Sequence, residues 1–358
     1  MAAPRCQHAT FLALSHFPSL DGLRCMSILP VIWHHSTPRP LEGILGRGPL
    51  GVDLFFAISG LLITTLLLRE QEKTGRVSLG RFYLRRSLRI FPLYYAVLIL
   101  YVLRTWLLVA DSPSRTHFFH SLVFYGTYTS NWLVDFAVPF PVIFAFAWSL
   151  ATEEQFYLVW PSVLRLGRTW HLPVLFMSTL LVVDTAAEYG MFGSFLPMGG
   201  LGHRMVTSIA TPICMGSLLA YGLHFPKPFR ALSAVLGHRW SAPVALAVLL
   251  VLVGYERAPL AAIHASMTLL AGAVCVRRDH GLSLFTDLRA VRHVGQVSYG
   301  IYLIHVSAIT AAKQILPGNT LGIFAIATAG SVAVASLSFR YFERPFLKLK
   351  DRFAGQRI

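Results

Sequence analysis

Arg24 and His35 stand eleven residues apart in the apolar run LRCMSILPVIWHH, residues 23–35. On a helix rising about 1.5 Å per residue, that spacing separates them by about 16 Å. Arg24 falls at one end of the run, where a guanidinium either snorkels to lipid headgroups or binds a ligand. His35 falls deep inside it, as a proton-transfer group or as a hydrogen-bonded structural residue. Glu153 and Glu154 lie within a second such run, AWSLATEEQFYLVWP (147–161). An imidazole and a carboxylate at matched depth form a general-base pair, the carboxylate orienting the ring and stabilising its protonated form. A neutral His–Glu bond joining two helices is the structural alternative. Asp53, in GVDLFFAISGLLIT (51–64), either joins this network or caps its own helix.

A further set is cationic. In RFYLRRSLRIFPLYY (81–95), Arg86 and Arg89 are three apart and share a helix face, with Arg81 and Arg85 on neighbouring ridges. Such forks suit phosphate groups, although ordinary positive loop residues have the same composition. The stretch GQVSYGIYLIH (295–305) adds Ser298, Tyr299, Tyr302 and His305, the last three at intervals of three. Packing and interhelical bonding explain these as well as catalysis does. In FRYFERPF (339–346), Arg340 and Glu343 are spaced to pair, and Pro345 is placed to stop a helix.

The elements that carry these residues are membrane helices. Of 358 residues, 55% are hydrophobic and 13% charged, against about 25% charged in an average soluble domain. The apolar residues come in runs approaching the roughly 20 needed to cross a bilayer. Backbone groups in lipid must be satisfied within the segment, so the expected fold is an all-α polytopic bundle. The formal net charge of +15 is read as cationic loops on the cytoplasmic side, with no nucleic-acid partner. Cys6, Cys25, Cys214 and Cys275 have no paired spacing, so neither a disulfide framework nor a metal site is expected. The N-terminal stretch lacks a signal-peptide core and is read as mature sequence.

Apolar windows fall near 20–41, 50–68, 91–110, 118–131, 143–164, 172–188, 204–223, 241–254, 258–276, 297–315 and 320–342. The loop 69–89 holds seven Lys or Arg and is assigned to the cytoplasm. The other basic stretches fall on the same side only if 118–131 does not cross. The reading is therefore about ten transmembrane helices, a re-entrant or interfacial segment near 118–131, and both termini cytoplasmic. Residues 1–19 form an N-terminal segment, 20–345 the membrane domain and 346–358 a basic tail.

These pieces resemble, in order along nearly the whole chain, the acyltransferase 3 family of integral-membrane O-acyltransferases. The stretches that carry the resemblance are LDGLRCMSILPVIWHH, GVDLFFAISGLLIT, RRSLRIFPLYY, WSLATEEQFYLVWP, SYGIYLIH and YFERPF. The resemblance implies transfer of an acyl group, foremost acetyl, from cytoplasmic acyl-CoA to a hydroxyl of a sugar, cell-surface glycan or macrolide-like acceptor. It implies a multi-pass protein of the inner (plasma) membrane. By the family's Arg-x10-His pattern it selects Arg24 and His35 rather than His34. By Arg-x-x-Arg it selects Arg86 and Arg89, and by Trp-Ser-Leu-x-x-Glu it selects Trp148, Ser149, Leu150 and Glu153 rather than Glu154. Val306 departs from the proline that many relatives carry after the histidine.

The implied roles are donor binding for Arg24, Arg86 and Arg89 and general-base catalysis for His35 with Glu153. Asp53, Trp148, Ser149, Tyr299, Tyr302 and His305 form a supporting polar core, and no metal takes part. Some relatives add an extracellular hydrolase-like domain; here transfer is expected to finish within the membrane domain. A covalent acyl-histidine is a variant of the same scheme. A proton-coupled transporter is the rival class, since buried ionisable residues occur there too. Paired inverted repeats would favour it, and none is visible in the sequence.

Overall fold

The computed structural model describes residues 4–14, 16–37, 43–167 and 171–353. Residues 1–3 of the N-terminal segment and 354–358 of the basic tail lie outside the described residues. Among the described residues the chain is helical and has no strand. We number the helices that matter here in chain order. They are α1 (Pro18–Ser36), α2 (Leu50–Thr74), α3 (Leu79–Leu108), α4 (Ala147–Leu166), α5 (His171–Glu188), α6 (Thr211–His224), α7 (Leu260–Val276), α8 (Arg289–Gln296), α9 (Ser298–Ile315) and α10 (Thr320–Ser338). The chain divides into two compact units, Met1–Val77 with Thr211–Leu337, and Ser78–Ala210 with Ser338–Ile358.

Five stretches are long and apolar enough to cross a membrane: Leu50–Thr74, Leu79–Leu108, His171–Glu188, Leu201–His224 and Thr320–Leu349. The pair Pro226–Leu236 and Ser241–Gly254, bent by 72°, makes a sixth if it is one span. Length and composition therefore do not establish the expected ten. α1, α4 and α9 fall short because they carry the polar residues singled out above, and α7 has only 17 residues.

In the first unit, small residues let helices approach closely, as is usual where lipid supplies no hydrophobic drive between them. A Cβ on Gly60 of α2 would lie 2.0 Å from the Ile213 carbonyl oxygen of α6, and one on Gly216 would lie 2.3 Å from that of Ala57. Leu54, Ile58 and Leu61 of α2 pack with Leu219 and Leu223 of α6 and Ile263 and Leu270 of α7. At the C-terminal end of α2, Arg69 donates to the carbonyls of Phe11, at 2.7 Å, and Leu14. The rings of Phe11 and Phe17 flank its guanidinium, each 5.4 Å from it. Arg69 thus ties the helix Pro4–Ala13 to the bundle.

The loop before α8 is latched beneath α1. Ser19 Oγ donates to Asp287 Oδ1 at 2.8 Å, so the His280 Nε2 contact at 3.0 Å is a donation to Ser19. His280 is 1% exposed. This network fixes the loop and is not a nucleophile triad, because the serine proton points to the aspartate.

In the second unit, the weak segment 118–131 breaks into Pro113–His120, Leu122–Gly126 and Ser130–Leu133. Its freed carbonyls are satisfied by tyrosines of α3: Tyr94 Oη donates to Tyr125 O at 2.7 Å and Tyr95 Oη to Gly126 O at 2.9 Å. Tyr125 Oη in turn donates to Ile143 O at 3.0 Å. Asn131 and Gln155 of α4 exchange amide hydrogen bonds, each at 2.9 Å. Tyr128 (φ 54°) and Phe144 (φ 65°) hold left-handed backbone that bulky residues rarely adopt. Tyr128 is stacked on Tyr94 with ring centroids 4.4 Å apart, and such packing is what over-determines a strained backbone. Pro345 does not stop the chain. A π-helical turn (Phe339–Glu343) leads into a further helix, Arg344–Phe353. Pro345 occupies its first turn, where a missing N–H breaks no intrahelical bond. Glu343 accepts from Ser338 Oγ at 3.3 Å.

Two outcomes follow. Tyr94→Phe removes the hydroxyl that satisfies a buried carbonyl and should destabilise the protein by about 1–3 kcal/mol. A thermal midpoint within error of wild type would contradict this role. Burial also pushes the His280 imidazole pKa down, against the opposing charges of Asp287 and Asp279. An imidazole depressed in the folded state contributes stability that is present above the ordinary imidazole range. That stability is lost as pH falls below the range toward the folded value, because the unfolded chain takes up the proton first. The thermal midpoint should therefore drop between about pH 7 and 5. His280→Gln, which keeps a donor for Ser19 and does not titrate, should flatten that part of the profile.

Candidate functional site

α1 opens with Pro18 at a first-turn position, where proline is favoured. Asp21 follows, buried to 3% exposure, and three side chains converge on it. Arg24 Nη1 donates to Oδ1 at 3.0 Å, Gln296 Nε2 of α8 donates to Oδ2 at 3.4 Å, and His16 Nε2 lies 3.4 Å from Oδ2. Arg24 is thus a neutralised and oriented guanidinium. The sequence reading missed Asp21, although its i,i+3 spacing to Arg24 was available. A Cβ on Gly295 would lie 1.8 Å from the Asp21 carbonyl oxygen, so only glycine lets α8 bring Gln296 this close.

Imidazoles gather at the other end of α1. The rings of His34 and His35 meet edge to face at 5.5 Å, and the His35 ring lies 5.1 Å from that of His305 on α9. His305 is fully buried. Its Nδ1 is 2.5 Å from the Tyr302 carbonyl, which only accepts, so the proton sits on Nδ1 and Nε2 carries the lone pair. Tyr302 is buried and its ring lies 5.4 Å from His305; Tyr299 is partly buried on the same helix. Within this unit, then, the rings that meet His35 are the imidazoles of His34 and His305.

The start of α2 lies against this end of α1: a Cβ on Gly48 would stand 2.3 Å from the Pro30 carbonyl oxygen and 2.6 Å from His34 Cβ. Asp53 does not cap α2, whose N-cap is Pro49 with no side-chain bond. Its Oδ2 lies 3.3 Å from His264 Nε2 of α7. The sequence reading also passed over His264. An ionisable residue inside the apolar window 258–276 was the signal that marks it.

The second unit holds the remaining candidates. Arg86 and Arg89 do share α3 at i,i+3, with Arg89 exposed and Arg86 partly buried. The Arg86 guanidinium lies over the rings of Tyr157, at 5.2 Å, and Phe82, at 5.8 Å. Its charge also acts on the Glu154 carboxyl. Glu153 accepts from the hydroxyl of Tyr157, one turn along α4. Ser149 is buried and donates to Phe146 O at 3.1 Å, whereas Trp148 is 37% exposed. Among the described residues, no group of three or more His, Cys, Asp or Glu is placed to hold a metal ion.

Each unit therefore combines a guanidinium with acid–base groups. The first puts Arg24 and His35 at opposite ends of one helix. The second puts Arg86 over the Tyr157 ring and within electrostatic reach of Glu154.

Comparison with known proteins fits this inventory. A family model described as an acyltransferase domain, Acyl_transf_3, matches residues 17–340. The peptidoglycan O-acetyltransferase OatA of Listeria monocytogenes is 28% identical over 367 residues, covering 96% of this chain and 57% of the relative. The O-acetyltransferase OatA of Staphylococcus aureus is 27% identical over 356 residues, covering 93% and 57%. A putative O-acetyltransferase of Staphylococcus aureus strain COL is 27% identical over 361 residues, covering 94% and 58%. The chain spans somewhat more than half the length of the curated relatives it matches. No solved structure matches it. With the model matching from the start of α1 to the turn after α10, the chain belongs to the acyltransferase 3 family.

Proposed function

We propose that this chain is a membrane O-acyltransferase that moves an acetyl group from cytoplasmic acetyl-CoA to a hydroxyl of a cell-surface glycan. The observation that carries the reading is the placement of Arg24 and His35 at opposite ends of one unbroken helix, Pro18–Ser36. A charged headgroup and a reactive thioester are also separated along a donor molecule. The family and the names of its relatives support acetyl transfer to a glycan.

In this reading Arg24, Arg86 and Arg89 bind the donor's phosphates. Guanidinium forks match phosphate oxygens two at a time. The thioester reaches the imidazole end of α1. His35 takes the proton of the acceptor hydroxyl as its oxygen bonds to the thioester carbonyl. The carbon–sulfur bond then breaks, and the imidazolium returns the proton to the leaving thiolate. His305 packs against the His35 ring and fixes its orientation, and Glu153 takes the catalytic carboxylate role that the family's pattern gives it. Ten spans with both termini cytoplasmic place the two ends of α1 on opposite sides of the plasma membrane.

Three tests bear on this. In proteoliposomes, wild type should transfer radiolabelled acetyl from acetyl-CoA to a sugar acceptor. His35→Ala should abolish transfer with donor binding kept. His34→Ala should be mild, since one residue rotates a helical side chain by about 100°. Near-normal transfer by folded His35→Ala would refute the assignment. Arg86→Ala and Arg89→Ala should each weaken donor binding by about 1.5–3 kcal/mol, roughly ten- to a hundred-fold. Arg→Lys should rescue in part because the fork is lost. Unchanged donor affinity in both alanine variants would rule them out as phosphate ligands. For topology, a Gly80→Cys label is tolerated sterically, because a Cβ there meets nothing within 4 Å. It should react only from the cytoplasmic side, and reaction from outside intact cells would overturn the ten-span scheme.

A further inference from the structure

The Asp53–His264 pair has no part in the mechanism above. It joins the first turn of α2 to the second turn of α7, residues separated by 211 positions in sequence. His264 is 7% exposed. Its Nε2 faces a carboxylate oxygen and therefore carries a proton, which leaves Nδ1 as the acceptor of a neutral ring. That Nδ1 is buried and has no hydrogen-bond partner among the described residues. Asp53 is more open, with its side chain 23% exposed, and only Oδ2 is engaged by the imidazole. A residue serving only to tie two helices together would be expected to satisfy both ring nitrogens. Here one nitrogen is spent on holding a carboxylate whose second oxygen stays available.

The position of the pair gives it a use. α2 ends in Arg69 and Lys73, and α7 is followed by Arg277 and Arg278, so both helices carry their basic residues at the end away from the pair. The pair thus lies at the end opposite the cationic loops. Gly48, just before α2, meets Pro30 and His34 of α1, and Gly51 meets Ser27 and Val31, so Asp53 stands beside the middle of α1, inward of His35. A carboxylate is an acceptor with several lone pairs and suits the hydroxyls of a polyol, not the phosphates of a donor.

We propose that Asp53 is a hydroxyl-binding group for the sugar acceptor in this unit, about two helical turns inward of His35 along α1, with His264 as its positioning residue. Asp53 Oδ1 accepts from one sugar hydroxyl while His264 Nε2 holds Oδ2. A hydroxyl further along the sugar chain is thereby left for the imidazoles of α1. This rests on the acyltransferase reading for its acceptor class, but its test does not require turnover.

Binding of triacetylchitotriose to the purified full chain in detergent is measured by calorimetry without donor, alongside acetyl-CoA binding and the thermal midpoint. Asp53→Asn, which is isosteric, should weaken sugar binding about ten-fold or more, the loss expected for a hydrogen bond to a charged group. Acetyl-CoA binding should be unchanged. His264→Gln keeps a donor toward Asp53 and should bind sugar nearly as wild type does. His264→Leu releases the carboxylate and should weaken binding. In turnover, Asp53→Asn should raise the sugar KM at unchanged donor KM. Wild-type sugar affinity in folded Asp53→Asn overturns the proposal, as does parallel loss of sugar and acetyl-CoA binding. Failure of wild type to bind the sugar overturns it too. Sugar binding that depends on Asp53 in a protein that does not transfer acetyl would leave this site standing and refute the transfer mechanism.

Discussion

A polar group inside a membrane-spanning bundle has no water to fall back on, so every buried donor, acceptor or charge needs a partner from the chain. Much of this structure follows from that constraint. Arg69 is tolerated because two backbone carbonyls and two aromatic rings receive its guanidinium. Arg24 is tolerated because Asp21 neutralises it one turn away. The broken segment between α3 and α4 is tolerated because tyrosine hydroxyls of α3 satisfy its carbonyls. Each solution spends a side chain on internal pairing, and each fixes a local geometry as a result.

The same constraint makes α1 useful. Its two polar ends are held by different parts of the first unit: Asp21, Gln296 and His16 at the start, His305 and Tyr302 at the finish. Between them runs apolar helix, with Leu23, Ile28, Val31 and Ile32 buried. In the proposed mechanism this separates binding of a charged group from proton transfer by eleven residues of helix, about 16 Å. Rigid separation of this kind suits a donor that is charged at one end and reactive at the other.

What was legible in the sequence was local. The windows at 50–68 and 320–342 became Leu50–Thr74 and Thr320–Ser338, because the length and apolarity of a run are properties of neighbouring residues. The weakness of 118–131 was real, and so was the shared helix of Arg86 and Arg89. The pairings were not legible. His35 with His305 and Asp53 with His264 join residues more than 200 positions apart, and no periodicity encodes which helix packs on which. Two partners were within local reach and still missed: Asp21, three residues before Arg24, and Tyr157, four after Glu153. Both are ordinary helix-face neighbours. Pro345 misled because proline marks a helix start as well as a stop, and here a π turn supplies the new start.

In the proposed mechanism α1 separates donor binding from chemistry along its length. Single-turnover kinetics of Arg24→Ala and His35→Ala, with acetyl-CoA varied over a wide range, test it most directly. The account predicts that Arg24→Ala raises the half-saturating acetyl-CoA concentration about ten-fold or more while the saturated rate stays within a few-fold of wild type. It predicts that His35→Ala collapses the saturated rate at unchanged half-saturation. If both variants lower the same parameter, whether saturated rate or donor affinity, the two ends of α1 do not divide the work and the account is wrong.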